Sequence, residues 1–225
     1  MIPAFHLVGD GALLVDWPGQ AQANRLALAL KADLARRPLA GQLECVPALA
    51  SLLIRFDPLA IDPPALQEAV LKRLENLDAS AAMRGRPVAI PVCFDADLAP
   101  DLQDIAKAKQ LSPQALVEQV AAAAFTALFM GFLPGFAYLA GLPENLSLPR
   151  RASPRPHVPA GSLALADGLC AVYPLDSPGG WHLIGQTPLR LFDVQRADPF
   201  LIRAGDKITF TPISRPEFER LKVGG

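Results

Sequence analysis

Three cysteines, three histidines and a formal net charge of −1 over 225 residues remove several chemistries at once. Lys+Arg is 21 against Asp+Glu 22, so no global field gathers a polyanion, and general nucleic-acid binding is excluded. Cys45, Cys93 and Cys170 stand far apart, without the close pairs of zinc or redox motifs, and read as reduced, buried thiols. His6, His157 and His182 have no ligand spacing, and neither H-E-x-x-H nor G-x-S-x-G occurs, which disfavours a metalloprotease and an α/β-hydrolase. No G-x-x-x-x-G-K-[ST] loop is present, and Gly9-Asp10-Gly11 lacks the third glycine of a dinucleotide fingerprint, so neither phosphate-cradling loop is available.

Charged residues are only 19% of the chain and hydrophobic ones 51%, a balance that excludes intrinsic disorder. The one long uncharged run, Val120 to Leu142, is weakly apolar and broken by Gly131, Pro134, Gly135 and Gly141. Lipid would leave the freed backbone groups unsatisfied, so the run predicts a buried helix followed by a turn. The first residues carry no basic region and meet Asp10 early, unlike a signal peptide, so a cytoplasmic chain is expected.

Two textures follow one another along the chain. Phe5–Val8 and Ala12–Val15 flank an Asp-Gly turn and predict a hairpin. Leu26, Leu30 and Leu34 recur every fourth residue and predict a helix. Leu43–Val46 and Leu52–Phe56 read as strands, and Asp62 followed by two prolines caps a second helix with Leu66, Val70, Leu74 and Leu77 on its apolar face. The order to this point is ββαββα, and the polar stretch 78–86 reads as a link between modules. Val88–Phe94 predicts a strand, and Pro91 within it suggests an edge position or a bulge. Two helices follow, one over Pro100–Lys109 and one opened by Ser112-Pro113 and running to about Phe129. From Gly131 to Ile213, short apolar runs at Ser162–Ala166, Cys170–Tyr173, Leu189–Phe192 and Ile208–Thr211 alternate with Gly and Pro turns, the pattern of an all-β barrel or sandwich.

Three segments of this half bear on chemistry, each with a plainer alternative. In Gly131–Pro143, Phe132, Pro134, Gly135, Phe136 and Tyr138 suit either a ligand wall or a tight turn packed into the core. In Leu148–Ser162, prolines stiffen a loop bearing Arg150, Arg151, Arg155 and His157, suited to carboxylate or phosphate recognition or simply to solvation; Gly161 and Ser162 add donors. In Val172–Pro188, Tyr173, Asp176, Ser177, Gly179, Gly180 and Trp181 form either a pocket rim or a hairpin turn covering the barrel end. Arg155 and His182 are the candidate catalytic residues, His182 as a general base with no orienting partner identifiable.

Taken together these segments resemble the family that includes the B-type component of bacterial 5-oxoprolinase, the KipI inhibitor of a sporulation histidine kinase, and the allophanate hydrolase subunit 1 or carboxyltransferase-type domain of urea-processing enzymes. The resemblance rests on Gly131-Phe132-x-Pro134-Gly135-Phe136-x-Tyr138-Leu139, Pro149-Arg150, Pro154-Arg155, Val158-Pro159-Ala160-Gly161-Ser162, Tyr173-Pro174, Ser177-Pro178-Gly179-Gly180-Trp181, Ile184-Gly185-x-Thr187-Pro188, Leu191-Phe192-Asp193 and Gly205-Asp206. It implies an α+β protein, with a small ferredoxin-like α/β domain over residues 1–84 and a cyclophilin-like β-barrel domain over 85–225 with two helices near its start. It implies a subunit working with a homologous C subunit and a larger A subunit, in a complex that uses ATP to open a small anionic amide, 5-oxoproline, to glutamate. The alternatives it carries are a non-enzymatic kinase inhibitor of the KipI kind and a urea- or allophanate-type amide-processing subunit. Val120, Leu169 and Gln186 depart from the family's histidine, glutamine and arginine at those positions.

Overall fold

The computed structural model describes residues 3–79 and 85–223. The chain divides into two compact units, Met1–Gly85 and Arg86–Gly225; of the polar stretch 78–86, residues 80–84 lie outside the described residues.

In the first unit β1 (Ala4–Leu7) and β2 (Ala12–Asp16) form the expected hairpin, followed by α1 (Ala23–Arg36), β3 (Gln42–Pro47), β4 (Ser51–Phe56) and α2 (Pro63–Glu75). The sheet order is β1-β2-β4-β3, antiparallel throughout. The leucine stripe of α1 works as its spacing predicts: Leu30 and Leu34 are fully buried against Val15, Leu52, Ile54 and Phe56, and Leu26 packs at the margin. Asp62 caps α2 by accepting from the Ala65 N–H at 2.8 Å. Cys45 is half-buried rather than buried, because β3 is an edge strand, and burial pushes its thiol up to about 11.

The second unit opens with β5 (Pro87–Val92), α3 (Leu102–Ala108) and α4 (Pro113–Ala122). The remaining elements are β6 (Phe125–Met130), β7 (Ala137–Ala140), β8 (Arg155–Val158), β9 (Ser162–Ala166), β10 (Leu169–Val172), β11 (Ser177–Gly179), β12 (His182–Gln186), β13 (Lys207–Pro212) and α5 (Arg215–Val223). Seven strands form one sheet in the order β12-β9-β10-β7-β6-β13-β5. Its ends meet where Cys93 and Gln186 exchange backbone hydrogen bonds of 2.8 and 2.9 Å, so the sheet is a nearly closed barrel. Phe125, Leu139, Leu163, Leu165, Ile184 and Phe210 fill it together with the apolar faces of α3 and α4. β5 is an edge of the sheet apart from that bridge, the first of the two positions Pro91 suggests.

Two expectations are corrected. The helix opened by Ser112 stops at Ala122, and Phe125–Met130 is a strand. Ala123 takes extended angles, and Phe125 and Thr126 pair with Ile208 and Lys207, long-range contacts that overrule a local helical preference. Leu189–Phe192 forms no strand; one isolated bridge, Phe192 to Phe200, is all the pairing it makes among the described residues. No helix among the described residues is long and apolar enough to cross a membrane.

The cap of α4 makes a first prediction. Ser112 accepts from the Ala115 N–H at 3.1 Å, and its replacement by alanine is expected to lower stability by about 1 kcal/mol. A shift in the urea midpoint at constant slope checks this.

Candidate functional site

Alternation along the barrel strands sets up the site. Leu163, Leu165, Cys170 and Val172 join the barrel core, while Ala164, Ala166, Ala171 and Tyr173 belong to a separate cluster on the other face. The three alanines leave room for large rings. Phe136 packs edge-on to Tyr173 at 5.3 Å and to Trp181 at 5.9 Å between centroids, and Tyr138 meets Trp181 at 5.9 Å. Phe132 closes the group, 5.3 Å from Phe136 and 6.4 Å from Tyr173. Unlike the others it is exposed, 59% of its surface open. Its φ is +66° in a three-residue turn closed by the Leu133 N–H on the Gly131 carbonyl at 2.8 Å, a rare and strained form. Pro134 is exposed in the turn that follows, closed by the Phe136 N–H on the Leu133 carbonyl at 3.0 Å.

A two-stranded ribbon, β8 with β11, carries the polar candidates. Asp101, 5% exposed, anchors it. Its Oδ1 accepts from Arg155 Nη2 at 2.7 Å and Arg151 Nη1 at 3.0 Å, and its Oδ2 from the Leu183 N–H at 2.7 Å. Burial pushes the Asp101 carboxyl up, but the hydrogen bonds from Arg155 and Leu183 and the two guanidinium charges outweigh it and hold it below the usual carboxylate range. Arg155 therefore serves a buried carboxylate of its own chain, while its Nη1, Arg151 Nε and Ser177 Oγ are buried without a hydrogen-bond partner among the described residues. Arg150 points elsewhere, to the exposed Asp167 at 3.0 Å. Gly179 is required because Tyr173 lies against it: a Cβ there would sit 2.3 Å from the Tyr173 hydroxyl. The carbonyl of Gly180 accepts from the Arg151 N–H at 2.8 Å. Burial raises the Tyr173 hydroxyl above its ordinary range despite its hydrogen bond to the Trp181 backbone, so it is protonated at neutral pH.

His182 is not brought to this cluster. It alternates with Leu183 along β12, and its Nε2 lies 3.0 Å from the Pro149 carbonyl, which makes that nitrogen a donor and pins the basic loop.

A cavity of about 560 Å³ lies beside the ring cluster, lined by Gly161, Pro174, Gln186, Thr187 and Phe192 among others. Gly135 packs between Phe192 and Pro174 and so links the two regions. Ser162 is buried at the start of β9. Of the three departures, Val120 is fully buried in the barrel core, away from the cavity, and Leu169 packs on the ring cluster. Gln186 lines the cavity and donates to the Ala160 carbonyl at 2.6 Å. Sequence reasoning missed Asp101, whose partners lie 50 to 82 residues away, and it missed α5, which adds Phe218 and Lys222 to the cavity.

Fold and site together define a two-unit α+β chain whose second unit is a nearly closed barrel with an external ring cluster and an adjoining cavity. Residues 3–202 match the model of the carboxyltransferase domain, subdomain C and D, and the chain belongs to that family. It is 36% identical over 227 residues to a Bacillus subtilis (strain 168) protein named as the B subunit of 5-oxoprolinase, covering 96% of this chain and 95% of that one. Among solved structures, TTHA0988 is 36% identical with a TM-score of 0.79 over 91% of this chain; the chain spans only 40% of that protein. The Kluyveromyces lactis urea carboxylase, 19% identical with a TM-score of 0.72, shares the fold over 96% of this chain and 22% of its own.

Proposed function

We propose that this chain is the B-type subunit of a 5-oxoprolinase, acting with a homologous C subunit and a larger A subunit. The observation that carries the reading is the 36% identity, over nearly the whole of both chains, to the Bacillus subtilis protein of that name. The reaction consumes 5-oxoproline, ATP and water and yields glutamate, ADP and phosphate: transfer of the γ-phosphoryl group to the lactam oxygen activates the carbonyl, and water then opens the ring. A cavity of about 560 Å³ is within the size range of small-molecule sites. This chain has neither phosphate-cradling motif, so ATP is assigned to the assembled complex rather than to this subunit. The contacts of Arg150, Arg151 and Arg155 with Asp167 and Asp101 make them supports of the site rather than free anion receptors. Hydrolase and cytoplasmic subunit are the corresponding class and location. The order β1-β2-β4-β3 supports reading the first unit as a ferredoxin-like sheet whose fourth strand comes from the amino-terminal hairpin, and the nearly closed seven-stranded barrel supports reading the second as cyclophilin-like.

Co-expression with the C and A subunits tests the function. ADP release dependent on 5-oxoproline is expected from the three together and not when this chain is omitted. Equal turnover without it overturns the proposal.

A further inference from the structure

We infer that the cavity beside the ring cluster binds a small monocarboxylate and that Lys222, on the carboxyl-terminal helix α5, meets its carboxylate. This deepens the 5-oxoprolinase reading and rests on it for the identity of the natural ligand.

The argument begins with α5 itself. Phe218 is 1% exposed and lines the cavity, and Lys222, one turn further on, lines it too, its ammonium 5.8 Å from the Phe218 ring centre. Arg215, on the preceding turn, is engaged by Asp97 at 2.7 Å and Glu219 at 2.8 Å. Lys222 forms no ion pair with another described residue. The other two charged residues of the lining, Arg190 and Asp193, pair with each other. Asp193 accepts from the Gln195 N–H at 3.0 Å and faces Arg190 at 3.4 Å and Arg196 at 3.6 Å. The Lys222 ammonium is therefore a surplus positive charge at a mostly apolar wall, which suits a monoanion with an apolar body.

Another residue of the lining supplies an acceptor. The Gln186 amide nitrogen is taken by the Ala160 carbonyl at 2.6 Å, and its carbonyl oxygen has no protein partner among the described residues, so it can accept from a lactam N–H. Phe192 and Leu175 provide the apolar side for a ring. Residues 3–202 are the extent of the family match, whereas Phe218 and Lys222 lie beyond it. The charge that selects the ligand thus comes from a segment outside the matched region.

The test uses the full chain and three ligands: 5-oxoproline, pyrrolidin-2-one, which is the same ring without the carboxylate, and inorganic phosphate. Wild-type protein is expected to bind 5-oxoproline at least about tenfold more tightly than pyrrolidin-2-one, with the preference weakening as salt rises. Lys222→Met should abolish that preference and Lys222→Arg should keep most of it. In the assembled complex, Lys222→Met should raise KM for 5-oxoproline about tenfold and lower kcat far less, since the contact is made in ground and transition states alike. Equal binding of the two lactams by wild type, phosphate binding as tight as 5-oxoproline, or a Lys222→Met protein indistinguishable from wild type each overturns the inference. If the wild-type complex does not turn over 5-oxoproline, the functional reading falls, and the carboxylate site is judged on the binding titration alone.

Discussion

Asp101→Ala is expected to destabilise the second unit by about 3 kcal/mol, the lower part of the range for breaking a buried ion pair. The lower part applies because the Arg155 and Arg151 side chains keep 22% and 32% of their surface exposed. The substitution strands two guanidinium groups and the Leu183 N–H together, and among the described residues no other side chain accepts from any of the three. The same carboxylate makes stability depend on pH. Its folded pKa is depressed, so its contribution is complete above the unfolded value of about 4 and is lost as pH falls through the lower folded value. Urea titrations at pH 7 and at successively lower pH should show the wild type losing stability across that window. Asp101→Asn should flatten that loss while sitting below wild type at pH 7. A variant as stable as wild type at pH 7 would show that the arginines find other partners. Arg155→Ala is correspondingly expected to cost stability as well as any activity, because it removes the shortest side-chain contact of Asp101.

Gly161→Ala is expected to be comparably damaging, about 3 kcal/mol or more, from left-handed strain and overpacking combined. Gly161 has φ +83°, and a Cβ there would lie 2.3 Å from the Thr187 carbonyl oxygen. That oxygen is backbone and cannot swing away. The Gly161 N–H also donates to the Tyr173 carbonyl at 2.7 Å, and its own carbonyl accepts from the Thr187 N–H at 2.9 Å. Any shift that relieves the clash breaks those bonds, on which both the cavity and the start of β9 depend. Thermal unfolding followed by circular dichroism measures the loss. A melting temperature unchanged from wild type would mean the loop has an alternative path.

Where a signal was local, the sequence was enough. Ser162–Ala166 is a strand to the residue, because an apolar run with a glycine turn on either side leaves no other reading. Ser112 and Asp62 cap the helices that their spacing assigns to them. The aromatic and proline-rich segments stand out as a group, because rings, glycines and arginines that share a motif are visible against composition. What was illegible was pairing over distance. Nothing in Phe125–Met130 announces that Ile208 and Lys207 will claim it as a strand. Asp101 reads as an ordinary residue at a helix start until Arg151, Arg155 and Leu183 fold onto it. His182 reads as an available base because its hydrogen bond to the Pro149 carbonyl is invisible in one dimension. The short helix at the carboxyl end carries no strong period of its own, and its place in the cavity depends on one buried phenylalanine.

The position of β13 in the barrel has a consequence for biosynthesis. Residues 207–212 lie between β6 and β5, parallel to residues 87–92 on one side and antiparallel to 125–126 on the other. A nascent chain on the ribosome can form the first unit, and much of the β7-to-β12 side of the second, while the strand that joins β5 to the rest has yet to be made. Until then Phe125 and Ile90 have no neighbour on that side, and the emerging polypeptide must hold apart two sheet edges until β13, translated after both, unites them.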